Sequence, residues 1–195
     1  MAATIFLIRH ATHDRVDSTL CGRMDGVRLS DSGHAQARRL ADRLRRGRLD
    51  AVYTSPLERA RQTAAYLAPA SMTIDALTEV DYGAWTGRAF AELAGDPHWQ
   101  AWNTQRDTAR PPGGESIAEA QARAGAALEA VRERHAEGRV AVVSHAEILK
   151  SVIGGILRLA AQSWALFDIA PASISVVALW AGGGKILQLN ETVPA

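Results

Sequence analysis

Thr4-Ile5-Phe6-Leu7-Ile8-Arg9-His10-Ala11 decides how the rest of the chain is read. Five β-forming residues in a row predict a short buried strand, and Arg9-His10 falls where that strand should end. In open α/β sheets the ligand crevice lies at the carboxyl ends of the strands. A guanidinium and an imidazole placed there point to an anion handled by a nucleophile or an acid/base. The arrangement returns late in the chain, where the apolar run Val140-Ala141-Val142-Val143 ends in Ser144-His145. Two strands are therefore expected to deliver a histidine each to the same sheet edge.

Outward from these strands the chain alternates strand and helix. A polar loop spans 12–29, and Ser30 or Ser32 can cap a helix whose Ala37, Leu40, Ala41 and Leu44 share one face. Gly47 closes it, and Asp50 to Thr54 reads as a strand. Ser55-Pro56-Leu57-Glu58 reads as a helix start, with Pro56 at the first helical position and Ser55 and Glu58 forming a capping box. Arg59 then sits in the first turn of a helix beside a strand end, where free N–H groups and the dipole favour an anion. Met72 to Asp75 is a weak strand. Residues 88–114, with Trp99, Trp102 and three prolines, read as a small helical insertion over the sheet edge. Ser116 and Glu119 form a second capping box, opening a helix that turns Ile117, Ala120, Ala124, Leu128 and Val131 inward. A helix from about Ala146 to Leu159 follows His145, and Ser173–Trp180 and Lys185–Leu189 form a closing hairpin. The expected fold is α/β: a three-layer sandwich with a mostly parallel sheet, helices on both faces and an antiparallel edge. We expect one domain over residues 1–195, with the strand ends gathering Arg9, His10, Ser55, Arg59 and His145 on one rim.

Composition narrows the function classes. The 195 residues are 47% hydrophobic and 22% charged with a net charge of +1, an ordinary globular balance that gives nucleic-acid binding no support. The arginines at 43, 45, 46 and 48 sit where a helix should end and suit its dipole. One cysteine, Cys21, excludes an intramolecular disulfide and fits a reducing compartment. The start Met-Ala-Ala-Thr lacks signal-peptide features, and no run approaches the roughly 20 apolar residues of a membrane span. A cytoplasmic protein is expected.

The rim residues suit phosphoryl transfer. A neutral imidazole can attack phosphorus and form a phosphoenzyme, splitting one displacement into two. Arg9 and Arg59 offer planar forks matched to phosphoryl oxygens, and a protonated His145 adds a donor. The leaving alkoxide needs a proton, for which Glu79 and Asp81 are the candidates. His10, His13 and Asp14 also allow a metal reading, but no second cluster downstream matches it. His34, His98 and His135 read as ordinary helix or lid residues.

These motifs resemble the histidine phosphatase superfamily, in its phosphoglycerate mutase-like branch. Arg9-His10 resembles the family's strand-terminal Arg-His, which implies that His10 is the phosphorylated histidine. Gly22 to Leu29 with Ser32-Gly33 and Gln36-Ala37 is similar to a further family block. Ser55-Pro56-Leu57-Glu58-Arg59-Ala60-Arg61-Gln62-Thr63-Ala64 matches closely and implies a phosphate-binding role for Arg59. Leu77-Thr78-Glu79 with Gly83-Ala84-Trp85-Thr86-Gly87 resembles the segment of the general acid/base, which falls on Glu79. Pro112-Gly113-Gly114-Glu115-Ser116 and Val143-Ser144-His145 match two more blocks, the second carrying the other pocket histidine. By the same alignment Cys21 and Gly22 fall where backbone groups line the pocket in relatives, and with Tyr82 they are further substrate-binding candidates. Ala11 and Ala146 stand where glycine usually follows each histidine, and Val16 stands where an Asn often binds phosphate, so that one donor is missing or is supplied by Thr12, His13 or Asp17.

The resemblance implies a cofactor-free, metal-independent phosphomonoesterase acting on a small phosphorylated metabolite through phosphohistidine at His10. Val80 after Glu79, where mutases of this type carry Arg, and an insertion with only Arg88, Arg106 and Arg110 as cations argue against a mutase. A mutase-type transfer and a non-catalytic phospho-ligand module are the rivals. No nucleic acid or membrane partner is expected, and the apolar hairpin edge leaves a homodimer open.

Overall fold

The computed structural model describes residues 2–192. Six strands form one sheet: β1 (Ala3–Arg9), β2 (Ala51–Thr54), β3 (Met72–Thr73), β4 (Arg139–Ser144), β5 (Ile174–Trp180) and β6 (Gly183–Glu191). Their order is β3-β2-β4-β1-β5-β6, with β1 to β4 parallel and the β5–β6 hairpin antiparallel along one edge. The mostly parallel sheet with an antiparallel edge is the architecture expected from strand–helix alternation.

Both faces are covered, and the two-residue period of the strands distributes the core between them. Ile5 and Leu7 of β1 face one layer with Val140 and Val142, packed by α5 (Ile117–Arg134) and α6 (Ala146–Leu157). Phe6 and Ile8 face the other with Ala141 and Val143, packed by α1 (Asp31–Leu44) and α2 (Glu58–Leu67). All five expected inward positions of α5 are buried, and its capping box between Ser116 and Glu119 is formed. Ser30 is the N-cap of α1 and accepts from Gly33 N–H. No helix among the described residues is long and apolar enough to cross a membrane.

One local reading is corrected. The helix after β2 begins at Glu58 with Leu57 as N-cap, so Pro56 lies outside it and no capping box forms. The Ser55 hydroxyl instead accepts from Leu57 N–H at 3.3 Å and meets His145 across the sheet, while Glu58 pairs with Arg28 at 2.8 Å. The helix after His145 also ends earlier than expected, at Leu157, where Arg158 turns left-handed with φ 55°.

The insertion carries two helices, α3 (Phe90–Leu93) and α4 (Pro97–Thr104). Trp102 and Trp85 are almost fully buried and meet at 6.3 Å, and Tyr82 packs edge-on to Trp102 at 5.9 Å. These contacts fasten the insertion to the segment that follows Glu79. Gly83 makes that junction possible, because its φ is +50° and a Cβ there would lie 2.2 Å from Pro112 O and 2.6 Å from Gly114 N. Gly83→Ala is expected to destabilise the protein by about 2–4 kcal/mol through overpacking against backbone plus left-handed strain. A thermal melt should show the midpoint lowered by roughly 5–10 °C.

Candidate active site

Hydrogen bonding between β1 and β4 brings the two distant histidines together. Arg9 pairs with Ser144 in the parallel register, and His10 N–H continues the ladder to Ser144 O at 2.9 Å. The His10 and His145 ring centroids lie 5.1 Å apart, tilted by 57°. Ser144 cannot enter this rim, since its hydroxyl donates to Leu77 O at 2.7 Å.

Hydrogen bonds set the proton positions. His10 Nδ1 lies 2.8 Å from Ala11 O, and a carbonyl only accepts, so Nδ1 carries the proton and Nε2 the lone pair. Arg59 Nε–H approaches that lone pair at 3.3 Å. His145 Nε2 lies 2.7 Å from Ser55 Oγ. The Ser55 hydroxyl, which accepts from Leu57 N–H, can also give its own proton to Nε2, and in that tautomer Nδ1–H of His145 is a donor. Burial, reinforced by the Arg59 and Arg9 charges, holds the pKa of both imidazoles well below 6.5. Both are therefore neutral at ordinary pH. With its proton on Nδ1, a neutral His145 is a donor at the rim, as a protonated one would be.

Two guanidiniums complete the rim. Arg59 in the first turn of α2 is 2% exposed and donates to Gly22 O at 2.7 Å. Arg9 donates to Ile169 O at 2.7 Å. Burial lowers both guanidinium pKa values while the Glu79 charge opposes the shift, and both groups remain cations. Arg9 Nε, Arg59 Nη1 and His145 Nδ1 are buried without a hydrogen-bond partner. An orphaned buried donor costs about 1–3 kcal/mol. A tetrahedral oxyanion carries enough acceptors to satisfy all three, and α6 starts directly after His145, adding its N-terminal dipole.

Glu79 and Asp81 separate cleanly. Glu79 is buried on the pocket wall, where Oε1 accepts Val80 N–H at 2.9 Å. Desolvation raises its pKa to about 7, helped by the Glu147 charge and opposed by the Val80 hydrogen bond and by Arg59 and Arg9. Asp81 turns away, accepting Gly83 N–H at 2.9 Å and pairing with Arg23 at 3.4 Å. The Glu79 carbonyl is gripped by Arg23 Nε at 2.9 Å and Arg123 Nη2 at 3.2 Å. Glu115 ties those two arginines together through contacts of 2.8 and 2.6 Å.

The pocket has a volume of about 280 Å³. Cys21, Gly22 and Tyr82 all line it. Gly22 acts through its carbonyl on Arg59, and burial keeps the Cys21 thiol and the Tyr82 phenol protonated by raising both pKa values. Val16 is also on the wall and offers no side-chain donor. His13 stacks on His10 at 5.4 Å, and its Nδ1 accepts Arg15 N–H at 3.3 Å. Burial first, then Arg59, lowers its pKa to about 4. Among the described residues no three His, Cys, Asp or Glu side chains converge as metal ligands. Asp14 lines a separate depression with Arg28 and Leu29.

Several features of the site were not singled out from sequence: Ser55 as partner of His145, Thr63, the Arg23–Glu115–Arg123 clamp, and Glu147 with its pairing to Arg106. Thr63 Oγ1 accepts Ala11 N–H at 3.0 Å and donates to Arg59 O at 2.8 Å, tying the loop after His10 to α2. The Thr in Gln62-Thr63-Ala64 of the family-like block is the one local signal that pointed to it.

With this geometry in place, comparison with known proteins is direct. The family model described as histidine phosphatase superfamily (branch 1) matches residues 5–192. Phosphoserine phosphatase 1 of Hydrogenobacter thermophilus is 32% identical over 197 aligned residues, covering 96% of this chain and 92% of that protein. The metal-independent phosphoserine phosphatase of Arabidopsis thaliana is 32% identical over 187, covering 90% of this chain and 76% of that protein. A mutant phosphoserine phosphatase from Entamoeba histolytica in complex with phosphoserine has a TM-score of 0.88 at 25% identity, over 97% of each chain.

The Ser55–His145 bond yields a prediction for a positioning residue. Ser55→Ala is expected to release the His145 tautomer and lower kcat/KM for a phosphate ester by about 10- to 100-fold. Ser55→Thr, which keeps the hydroxyl, should recover most of that loss. Equal losses in both variants, measured by steady-state kinetics, would assign Ser55 a packing role only.

Proposed function

Because the chain belongs to branch 1 of the histidine phosphatase superfamily, we propose that it is a metal-independent phosphomonoesterase working through phosphohistidine at His10. The substrate is a small phosphorylated metabolite. The observation that carries this reading is the neutral His10 with its Nδ1 proton pinned to Ala11 O and its Nε2 lone pair beside Arg59.

In the first step Nε2 attacks phosphorus while the P–O bond to the leaving group breaks. Glu79, protonated by virtue of its raised pKa, transfers its proton to the departing oxygen. Arg9, Arg59 and the Nδ1–H of His145 hold the equatorial oxygens, where charge develops. In the second step the Glu79 carboxylate takes a proton from water, the water oxygen attacks phosphorus, and the P–N bond breaks. Inorganic phosphate leaves, and Glu79 and His10 return to their starting states. Every group used belongs to the chain, and no cofactor is assigned.

Hydrolysis is favoured over mutase chemistry by the wall charges. Beyond Arg9 and Arg59, the cation on the pocket wall is Arg106, and it is already engaged by Glu147. The residue after Glu79 is the fully buried Val80, so that position adds no cation to the pocket. The phosphatase names of the relatives support the same choice. The proposal extends to a single domain with residues 88–114 as its lid, acting in the cytoplasm on a free small molecule. The buried lone Cys21 supports a reducing compartment.

Wild-type protein should hydrolyse p-nitrophenyl phosphate in the presence of excess chelator, and His10→Ala should lose about a thousandfold or more of that activity while remaining folded. Retained activity in His10→Ala would rule the mechanism out. With an alkyl phosphate, kcat/KM should fall as pH rises through about 7, the value to which Glu79 is raised, because the acid must hold its proton. Glu79→Gln should remove that alkaline limb and slow alkyl more than aryl esters. An unchanged pH profile in Glu79→Gln would assign the limb to another group.

A further inference from the structure

The pocket has a second charged feature that the phosphoryl chemistry does not use. Arg106 follows α4, and Glu147 lies in the first turn of α6, two residues after His145. Arg106 Nη1 donates to Glu147 Oε2, and their side chains are 13% and 15% exposed. Both line the same cavity as His10, Arg59 and Glu79. The Arg106 guanidinium also lies over the Trp102 ring at 5.9 Å, which fixes it from the side of the insertion.

The charges on this wall select among leaving groups. The phosphoryl dianion takes Arg9 and Arg59, and Glu79 is neutral in the form that protonates the leaving oxygen. What remains toward the leaving group is one cation and one anion. A leaving group bearing only a carboxylate would meet Glu147 as a like charge, and one bearing only an ammonium would meet Arg106 the same way. A leaving group bearing both can exchange partners with the pair: its carboxylate takes the Arg106 fork and its ammonium takes Glu147, so no charge is left unpaired in a partly buried site. Trp99 and Phe90 line the same wall and add apolar surface beside the pair. An ion pair of this burial adds little to stability, so its place on the cavity wall is better accounted for by recognition than by folding.

We propose that Arg106 and Glu147 form the leaving-group subsite and that it takes phosphate esters of zwitterions, the chemistry of a hydroxy-amino acid. This rests on the hydrolase reading above and adds the substrate class to it. Arg106 receives the α-carboxylate and Glu147 the α-ammonium, placing the ester oxygen toward Glu79.

O-Phospho-L-serine and 3-phosphoglycerate share a three-carbon skeleton, a carboxylate and a terminal phosphate; the first carries an ammonium where the second carries a hydroxyl. Comparing kcat/KM for phosphate release from the two therefore isolates Glu147. Wild type should favour phosphoserine by about 10- to 100-fold, the range of one charge-assisted hydrogen bond. Glu147→Gln, nearly isosteric, should reduce that ratio at least about tenfold. Arg106→Gln should lower both values while changing the ratio little, because both substrates carry the carboxylate. Thermal melts establish that each variant is folded. A wild-type ratio near one, or a ratio unchanged in folded Glu147→Gln, overturns the inference; if wild type still hydrolyses p-nitrophenyl phosphate, the hydrolase reading stands without it. Failure to hydrolyse any of the three esters overturns both.

Discussion

Two neutral imidazoles buried beside two guanidiniums are the constraint on which this structure turns. The arrangement is electrostatically one-sided: burial and the Arg59 and Arg9 charges both push proton affinity down at His10 and His145. That same field makes His10 available as a lone-pair donor and makes the rim attractive to a phosphoryl dianion. The cost is three buried nitrogens at the rim without partners. It is borne by a sheet whose β1 and β4 are almost wholly buried on both faces, and by bonds that hold the donors in place, from Ile169 O to Arg9 and from Gly22 O to Arg59.

Glu79 follows an opposite logic. Glu79 and Asp81 are two residues apart, yet one is buried and raised to a pKa of about 7 while the other sits at the surface beside Arg23. The difference comes from the backbone between them. Arg23 and Arg123, joined by Glu115, grip the Glu79 carbonyl, and Gly83 lets the chain turn against residues 112–114. The placement of Glu79 therefore depends on side chains from three other parts of the chain.

The sequence was informative wherever the cause was local. The unbroken apolar run Ile5-Phe6-Leu7-Ile8, the inward face of α5 and the Ser116 cap all rest on residues a few positions apart, and the structure bears them out. The strand-end rule placed His10 and His145 together because both follow buried runs. Ser55 shows where such reading stops. Ser-x-x-Glu is a helix-start pattern, but a partner 90 residues away claimed the hydroxyl. The choice between Glu79 and Asp81 before any family likeness, the clamp on Glu79 and the Arg106–Glu147 pair were out of reach for the same reason. Each depends on which surfaces meet after the strands have ordered, and single residues without a periodic signature carry no mark of it.

The central claim is that the His10 imidazole itself receives the phosphoryl group. Rapid quenching of wild-type enzyme during turnover of an aryl phosphate, under alkaline conditions that preserve phosphohistidine, followed by peptide mass spectrometry, tests it directly. The account predicts a phosphoryl adduct on the peptide containing His10, formed at the rate of the burst and cleared as substrate is exhausted. Turnover with no adduct, and inversion of configuration at phosphorus in a chiral substrate, would mean that water attacks directly and would contradict it.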